Sequence, residues 1–320
     1  MKKIGILTSG GDAPGMNAAI RAVVRTACNF HMEVVGVTRG YEGLIEGDFI
    51  YLTKASVGDI MQRGGTVLKT ARSGRFLTFE GQGTAVKNLR DNEIDALVAI
   101  GGDGTFKGAL DLHKLGIPVI CIPGTIDNDM GYTDYTIGFD TAVNTVLDAI
   151  GKIRDTASAH ERTTIIEVMG RNCGDIALYS GVTGGADYIL LPEVKTEIHK
   201  LCTKINEGLA RGKKHSIIIK AEGVELSNRA LAEEIEKHTG QEAKEVVLAY
   251  LQRGGSPSAR DRMLASLMGS KAVELIQQDI TGKAIAIRGS EIKALDLQEA
   301  VSIRREADLE LLSLIDVLSK

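Results

Sequence analysis

Short apolar runs alternating with amphipathic helical segments predict an α/β fold built on mostly parallel sheets. Three observations carry this: the runs are too short for buried helices, helix-period segments separate them, and glycine turns join run to helix. With 320 residues the chain exceeds the size at which a single core keeps growing, so two domains are expected.

The first run, residues 4–8, ends in Ser9-Gly10-Gly11-Asp12-Ala13-Pro14-Gly15, and Met16, Ala19, Ile20, Val23, Val24 and Ala27 then keep helical spacing. Backbone N–H groups at such a turn, with a helix amino terminus behind them, can cradle phosphate; the same turn also serves as a plain tight connection. Residues 34–38 read as a second strand, 57–61 as a short helix and 82–90 as a longer one. The run 96–100 leads into Gly101-Gly102-Asp103-Gly104-Thr105, which echoes the first glycine turn. Two such units are harder to dismiss as accident than one.

A third run, 117–122, delivers Pro123-Gly124-Thr125-Ile126-Asp127-Asn128-Asp129. Ligands of open α/β sheets bind at the carboxyl ends of strands, so this stretch is a candidate site, although it is equally good turn chemistry. Residues 139–158 form a long amphipathic helix. Strands at 163–168, 188–191, 216–220 and 246–251 then alternate with helices near 172–180, 197–211 and 228–239. A helix at 258–277, a strand at 284–287 and a helix at 308–318 complete the order. No Pro-rich or Ser-rich linker separates the halves, so the chain is expected to cross between domains more than once, with one crossing near Gly138.

Net charge near -4 and 4% aromatic residues without Trp give neither the basic footprint nor the stacking platforms of a nucleic-acid binder. Cys28, Cys121, Cys173 and Cys202 have no zinc or redox spacing. No segment has the length of a membrane span or of a signal peptide, and a cytoplasmic location is expected.

The pairs Gly151-Lys152, Gly212-Lys213 and Gly282-Lys283 lack a following Ser or Thr, so no P-loop is present, and no Gly-x-Gly-x-x-Gly follows a strand. The two Gly-Gly-Asp turns can hold a nucleotide instead, with Asp103 the better candidate for Mg2+. Arg72, Arg162, Arg171 and Arg253 stand beside small or glycine-rich sequence, where a guanidinium can fork onto phosphate or simply be solvated.

Together Thr8 to Asp12, Gly101 to Gly104, Pro123 to Asp129, Gly138-Phe139-Asp140-Thr141-Ala142, Met169-Gly170-Arg171, Ala221-Glu222-Gly223 and Gln252-Arg253-Gly254-Gly255-Ser256-Pro257 resemble the bacterial ATP-dependent 6-phosphofructokinases. The resemblance runs from residue 1 to about 275. It implies two Rossmann-like three-layer αβα domains, 1–138 with about 252–303 for ATP and 139–251 with about 304–320 for fructose 6-phosphate. The active site would occupy the cleft between them. The implied reaction moves the γ-phosphoryl of MgATP onto the 1-hydroxyl of fructose 6-phosphate, with Asp127 as base. Gly11, Arg72, Ser73, Gly102, Asp103, Gly104 and Thr105 would hold ATP, Asp103 also the metal. Thr125, Ile126, Asp127, Asp129, Arg162, Met169, Gly170, Arg171 and Glu222 would face the sugar phosphate, joined by Lys244, Tyr250, Leu251, Gln252 and Arg253. Thr125, Asp129, Arg171, Arg72 and Gly11 complete the implied catalytic set.

Some contacts would come from a neighbouring subunit, so a homotetramer is implied. In pyrophosphate-using relatives bulkier residues stand where this chain has Gly104 and Gly124, which favours ATP over that alternative; a catalytically silent sensor is the other. The resemblance also implies an effector site for ADP or phosphoenolpyruvate at Arg21, Arg25, Lys54, Asp59, Arg154, Gly185, Asp187, Arg211, Lys213, Lys214 and His215. The cluster 211–215 also reads as a solvated helix end. Lys244 and Tyr250 depart from an Arg and a His, which predicts weaker sugar-phosphate binding. Ser73-Gly74-Arg75-Phe76 departs from a Pro-Glu-Phe run, and Asp187 from a Glu.

Overall fold

The computed structural model describes residues 2–318; the outer domain bounds 1 and 320 lie outside them. In chain order the elements are β1 (Lys3–Ser9), α1 (Met16–Asn29), β2 (Glu33–Val37), α2 (Gly40–Glu46), β3 (Phe49–Leu52), α3 (Phe79–Asp91), β4 (Ala96–Gly101), α4 (Asp103–Lys114), β5 (Val119–Thr125), β6 (Ile137–Gly138) and α5 (Phe139–Ala159). They continue with β7 (Thr163–Val168), α6 (Asp175–Thr183), β8 (Tyr188–Leu190), α7 (Ile198–Ala210), β9 (Ser216–Ala221), α8 (Asn228–Thr239), β10 (Ala243–Val247), α9 (Ala259–Gln277), β11 (Lys283–Arg288), β12 (Glu291–Asp296), α10 (Leu297–Ser302) and α11 (Leu309–Leu318).

The chain divides into two compact units. The first holds the residues up to Ile126, Met130–Thr141 and Arg253–Arg304; the second holds Asp127–Asp129, Ala142–Gln252 and Arg305 onward. In the first unit an eight-stranded sheet runs β12-β11-β5-β4-β1-β2-β3, with β6 beside β5. It is parallel except at its edges, where β3 and β12 pair antiparallel. Leu7, Leu97, Ala99, Val119 and Cys121 on one face share a core with α2, α3, α4 and α10. On the other face α1 and α9 pack so closely that a Cβ at Gly269 would lie 2.7 Å from Ala22 Cβ. The second unit holds a fully parallel sheet, β10-β7-β9-β8. Its central strand β9 is buried throughout, the pattern of a strand covered on both faces. Among the described residues no helix is long and apolar enough to cross a membrane.

Three readings from the sequence are corrected. Residues 57–61 form turns, because Gly58 and a left-handed Asp59 (φ 51°) fall within a segment too short to nucleate a helix. The last strand of the second sheet lies at Ala243–Val247; beyond it Ala249 takes φ 44° and residues 249–253 form a short 3-10 turn. The helix read from 172 begins at Asp175, since Gly170 (φ 137°) and Arg171 (φ 55°) hold the preceding chain in a tight turn.

Candidate active site

In the first unit, the carboxyl ends of β1, β4 and β5 stand side by side, with Ser9 opposite Gly101 and Gly101 opposite Pro123. Thr105 fixes this edge by donating its hydroxyl to the Ser9 carbonyl at 3.0 Å. A Cβ at Gly101 would lie 2.3 Å from that hydroxyl and 2.5 Å from the Ser9 carbonyl, so only glycine fits. Asp103 opens α4 after an extended Gly102, and Gly104 faces open space. The part-exposed Asp103 carboxylate accepts from Lys107 at 2.6 Å.

No cluster of three or more His, Cys, Asp or Glu side chains suited to a metal occurs among the described residues. A single hard carboxylate next to a backbone cradle is nonetheless the protein's share of a Mg2+ site when the remaining oxygens come from phosphates and water. The residues present fit that ion.

The two glycines that the resemblance ties to donor choice differ in surroundings. Gly104 has nothing within 4 Å of a built Cβ, whereas one at Gly124 would press on Ile100 and Met16 at 3.0 and 3.3 Å. A Cβ at Gly11 would lie 3.0 Å from Arg253 Nη1, so the guanidinium is seated over the first glycine turn. The connection 62–70 is pinned above the same turn. Asn17 donates to the Arg63 and Gly64 carbonyls and accepts from Val67 N–H, and the Thr70 hydroxyl donates to the Gly10 carbonyl at 2.7 Å.

Arg72 is exposed. Ser73, by contrast, donates to Glu42 at 2.5 Å, and Arg75 pairs with Glu42 and Glu46. The Ser73 contact leads the causes holding the Glu42 carboxyl below its ordinary range. The departure at 73–76 is therefore an anchoring of this loop to α2. Phe76 stacks on Tyr41 with ring centroids 4.1 Å apart, and the Tyr41 hydroxyl donates to the Thr105 carbonyl.

Asp261, which no motif singled out, accepts from Gly138 N–H at 2.9 Å and Thr141 N–H at 2.8 Å. The Gly138 to Ala142 motif thus runs from the end of β6 into the start of α5, anchored there to α9.

The second unit holds the Asp127–Asp129 segment. Asp127 is 3% exposed, with Arg171 Nε 3.3 Å from its Oδ2. The backbone N–H groups of Gly170 and Arg171 donate to Glu222 Oε1 at 3.2 and 2.8 Å. A Cβ at Gly170 would lie 2.3 Å from the Cys173 carbonyl and one at Gly223 2.1 Å from the Arg171 carbonyl, so these two loops interlock only as glycines. Met169 N–H donates to Gln252, which is fully buried. The structure therefore brings Asp127, Arg171, Met169, Gly170, Glu222 and Gln252 together.

Arg162 is half-buried, and its Nε has no hydrogen-bond partner among the described residues. Lys244 is exposed on the edge strand β10 and pairs with Glu242 at 2.6 Å. That pairing, ahead of Arg162, holds the Glu242 carboxyl low. Tyr250 and Leu251 are 76% and 69% exposed.

The residues expected to form an effector site fall into two groups. Arg21 and Arg25 on α1, with Lys54 and Asp59, belong to the first unit. In the second, Lys213 pairs with Asp187, Arg154 donates to the Gly184 and Gly185 carbonyls, and Lys214 pairs with Glu161. Asp187, Arg211 and Lys213 line one cavity. Burial, then Lys213 and Arg154, pushes the His215 pKa below its ordinary value.

Sequence reasoning missed Asp175 and Arg305. Asp175 accepts from Asn128 and from Arg305 inside the second unit. Its one local signal was an acid at the start of a helix; Arg305 gave none.

Comparison with known proteins gives the class. The phosphofructokinase family model matches residues 3–276, and the chain belongs to the phosphofructokinase family. Within it, the motif-based resemblance to ATP-dependent 6-phosphofructokinases is borne out. The ATP-dependent 6-phosphofructokinase of Clostridium tetani (strain Massachusetts / E88) is 54% identical over 319 residues, covering 100% of both chains. Among solved structures, phosphofructokinase from Saccharomyces cerevisiae superposes with a TM-score of 0.89 at 34% identity over 100% of this chain and 47% of that one, so this chain spans about half that subunit. A pyrophosphate-dependent phosphofructokinase from Marinobacter aquaeolei has a TM-score of 0.85 at 22% identity, covering 98% of this chain and 91% of that chain, a likeness of fold alone.

Proposed function

We propose that this chain, an enzyme of the phosphofructokinase family and hence a phosphotransferase, transfers the γ-phosphoryl of ATP to the 1-hydroxyl of fructose 6-phosphate, a reaction of glycolysis. The full-length 54% identity to an ATP-dependent enzyme carries the choice of donor and acceptor. The site chemistry supports it. Asp127, nearly out of water and beside Arg171, is the base that accepts the hydroxyl proton as the sugar oxygen bonds to phosphorus and ADP departs. Arg171 pairs with that carboxylate and offers its remaining N–H groups to the transferring oxygens. Thr125 and Asp129 flank the base.

On the first unit, Gly11, Gly102, Gly104 and Thr105 present backbone to the nucleotide phosphates, with Arg72 and Ser73 beside them. Asp103 would hold Mg2+, which when bound neutralises charge on the phosphate oxygens. Ile126, Arg162, Met169, Gly170, Glu222, Lys244, Tyr250, Leu251, Gln252 and Arg253 form the acceptor set, and the orphaned Arg162 Nε supports an anion there. The two domain ranges read from the sequence, a cytoplasmic homotetramer, and an effector site for ADP or phosphoenolpyruvate belong to the same reading. Asp187, Arg211 and Lys213 around one cavity support the effector part.

The test offers ATP and pyrophosphate separately in a coupled assay with fructose 6-phosphate, with and without ADP and phosphoenolpyruvate. ATP-dependent turnover is expected. Turnover with pyrophosphate alone, or binding of both substrates without turnover, refutes the reading.

A further inference from the structure

We propose that Asp175 is a positioning residue for the base: it fixes Asn128, and through the shared peptide Asp127, and is itself locked by Arg305 from the last segment of the chain. The proposal rests on the functional reading above.

Asn128 is fully buried and holds φ 52°, the left-handed region that side-chain-bearing residues seldom adopt. Such a backbone persists only where its surroundings determine it. Here the Asn128 amide donates to Asp175 Oδ2 at 2.8 Å, and Cys173 Sγ lies 3.9 Å from the Asn128 carbonyl. Asp175 is 2% exposed, and so buried a carboxylate needs a cation. Arg305 supplies one, with Nη2 at 2.8 Å and Nε at 3.0 Å from the same Oδ2. Burial pushes the Asp175 pKa up, and Arg305 and then Asn128 pull it down.

The segment 171–175 therefore grips two adjacent residues of the catalytic turn, Arg171 the carboxylate of Asp127 and Asp175 the amide of Asn128. If Asn128 is released, its backbone can relax from the left-handed region. The Asp127 carboxylate then turns away from the hydroxyl it must reach, while residues that only bind the sugar stay in place.

The test is steady-state kinetics on the full chain with D175N, R305M and R305K. Each variant's thermal midpoint and its fructose 6-phosphate dissociation constant are measured alongside. D175N should lower kcat about 100-fold, the loss expected for a misplaced reacting group, with KM and Kd for the sugar phosphate changed less than about threefold. R305M should lower kcat roughly tenfold, since the Asn128 bond survives, and R305K should restore at least about half of the parent value. A kcat for D175N within twofold of the parent, or a change confined to KM, overturns the proposal. If D175N does not fold, R305M decides by the same criterion. A parent without ATP-dependent turnover refutes the functional reading and the role built on it; an active parent with unaffected variants refutes only the positioning role.

Discussion

Removing the ammonium of Lys220 should destabilise the second unit more than removing any surface charge. Lys220 and Glu167 are register partners on the neighbouring strands β9 and β7, their side chains 2% and 22% exposed and their charged atoms 2.9 Å apart. Lys220→Met keeps most of the apolar stem but leaves a largely desolvated carboxylate without its cation. Deleting one partner of a buried pair costs about 3–5 kcal/mol, and because Glu167 retains some water contact about 2–3 kcal/mol is expected here. At roughly 3–4 °C per kcal/mol for a unit of this size, the thermal midpoint should fall by about 6–12 °C. Lys220→Met combined with Glu167→Leu removes both charges and should recover most of the loss.

Scanning calorimetry at neutral pH and fixed protein concentration measures both variants. A midpoint drop below about 2 °C for the single variant, or a double variant no more stable than the single, refutes the reasoning. A functional trace should follow. The Glu167 carbonyl accepts from Leu248 N–H and the Val168 carbonyl from Glu222 N–H, so loosening these strands should also raise KM for the sugar phosphate.

Three further outcomes are expected. Asp127→Ser should cut kcat by about 100- to 10,000-fold while leaving sugar-phosphate binding, read by thermal shift, largely intact; near-parental turnover would remove Asp127 from the base role. Lys244→Arg with Tyr250→His should lower KM for fructose 6-phosphate roughly five- to tenfold by replacing a point charge and a phenol with a forked donor and a ring able to take up a proton; an unchanged KM would refute that account of the departure. Gly104→Lys should fold like the parent, since a Cβ there meets nothing within 4 Å, yet raise KM for ATP at least roughly tenfold by filling the donor's place; unchanged ATP kinetics would sink the donor reading.

Much of the candidate site's strand edge was legible in the sequence. Buried parallel strands read as unbroken apolar runs, so β1, β4 and β5 declared themselves, and the polar residues following each marked the strand ends. The edge strands β3 and β12 did not: β3 is only four residues long and half-exposed, and β12 has no continuous apolar run. Asp175 and Arg305 were illegible for another reason. Their bonds span 47 and 130 positions, and a lone acid or arginine at such separation carries no local pattern. The Lys244 departure could be named but not its setting: only the structure shows Glu242 already drawing on that ammonium, which a phosphate would have to displace.

One feature of the chain path gives these contacts a common sense. β5 belongs to the first unit as far as Ile126, the chain returns to that unit at Met130, and only Asp127–Asp129 are held by the second. Asp127, the proposed base, is thus delivered by a strand of the unit that carries the Gly-Gly-Asp turns, but it and Asn128 are gripped by Arg171 and Asp175 of the unit that carries Glu222 and Gln252. A general base must sit within hydrogen-bond reach of the proton it takes. On the proposed reading, fixing the Asp127 carboxylate to the unit that carries most of the acceptor set meets that requirement. It also explains why the left-handed Asn128 is braced by a buried acid rather than left to the strand that precedes it.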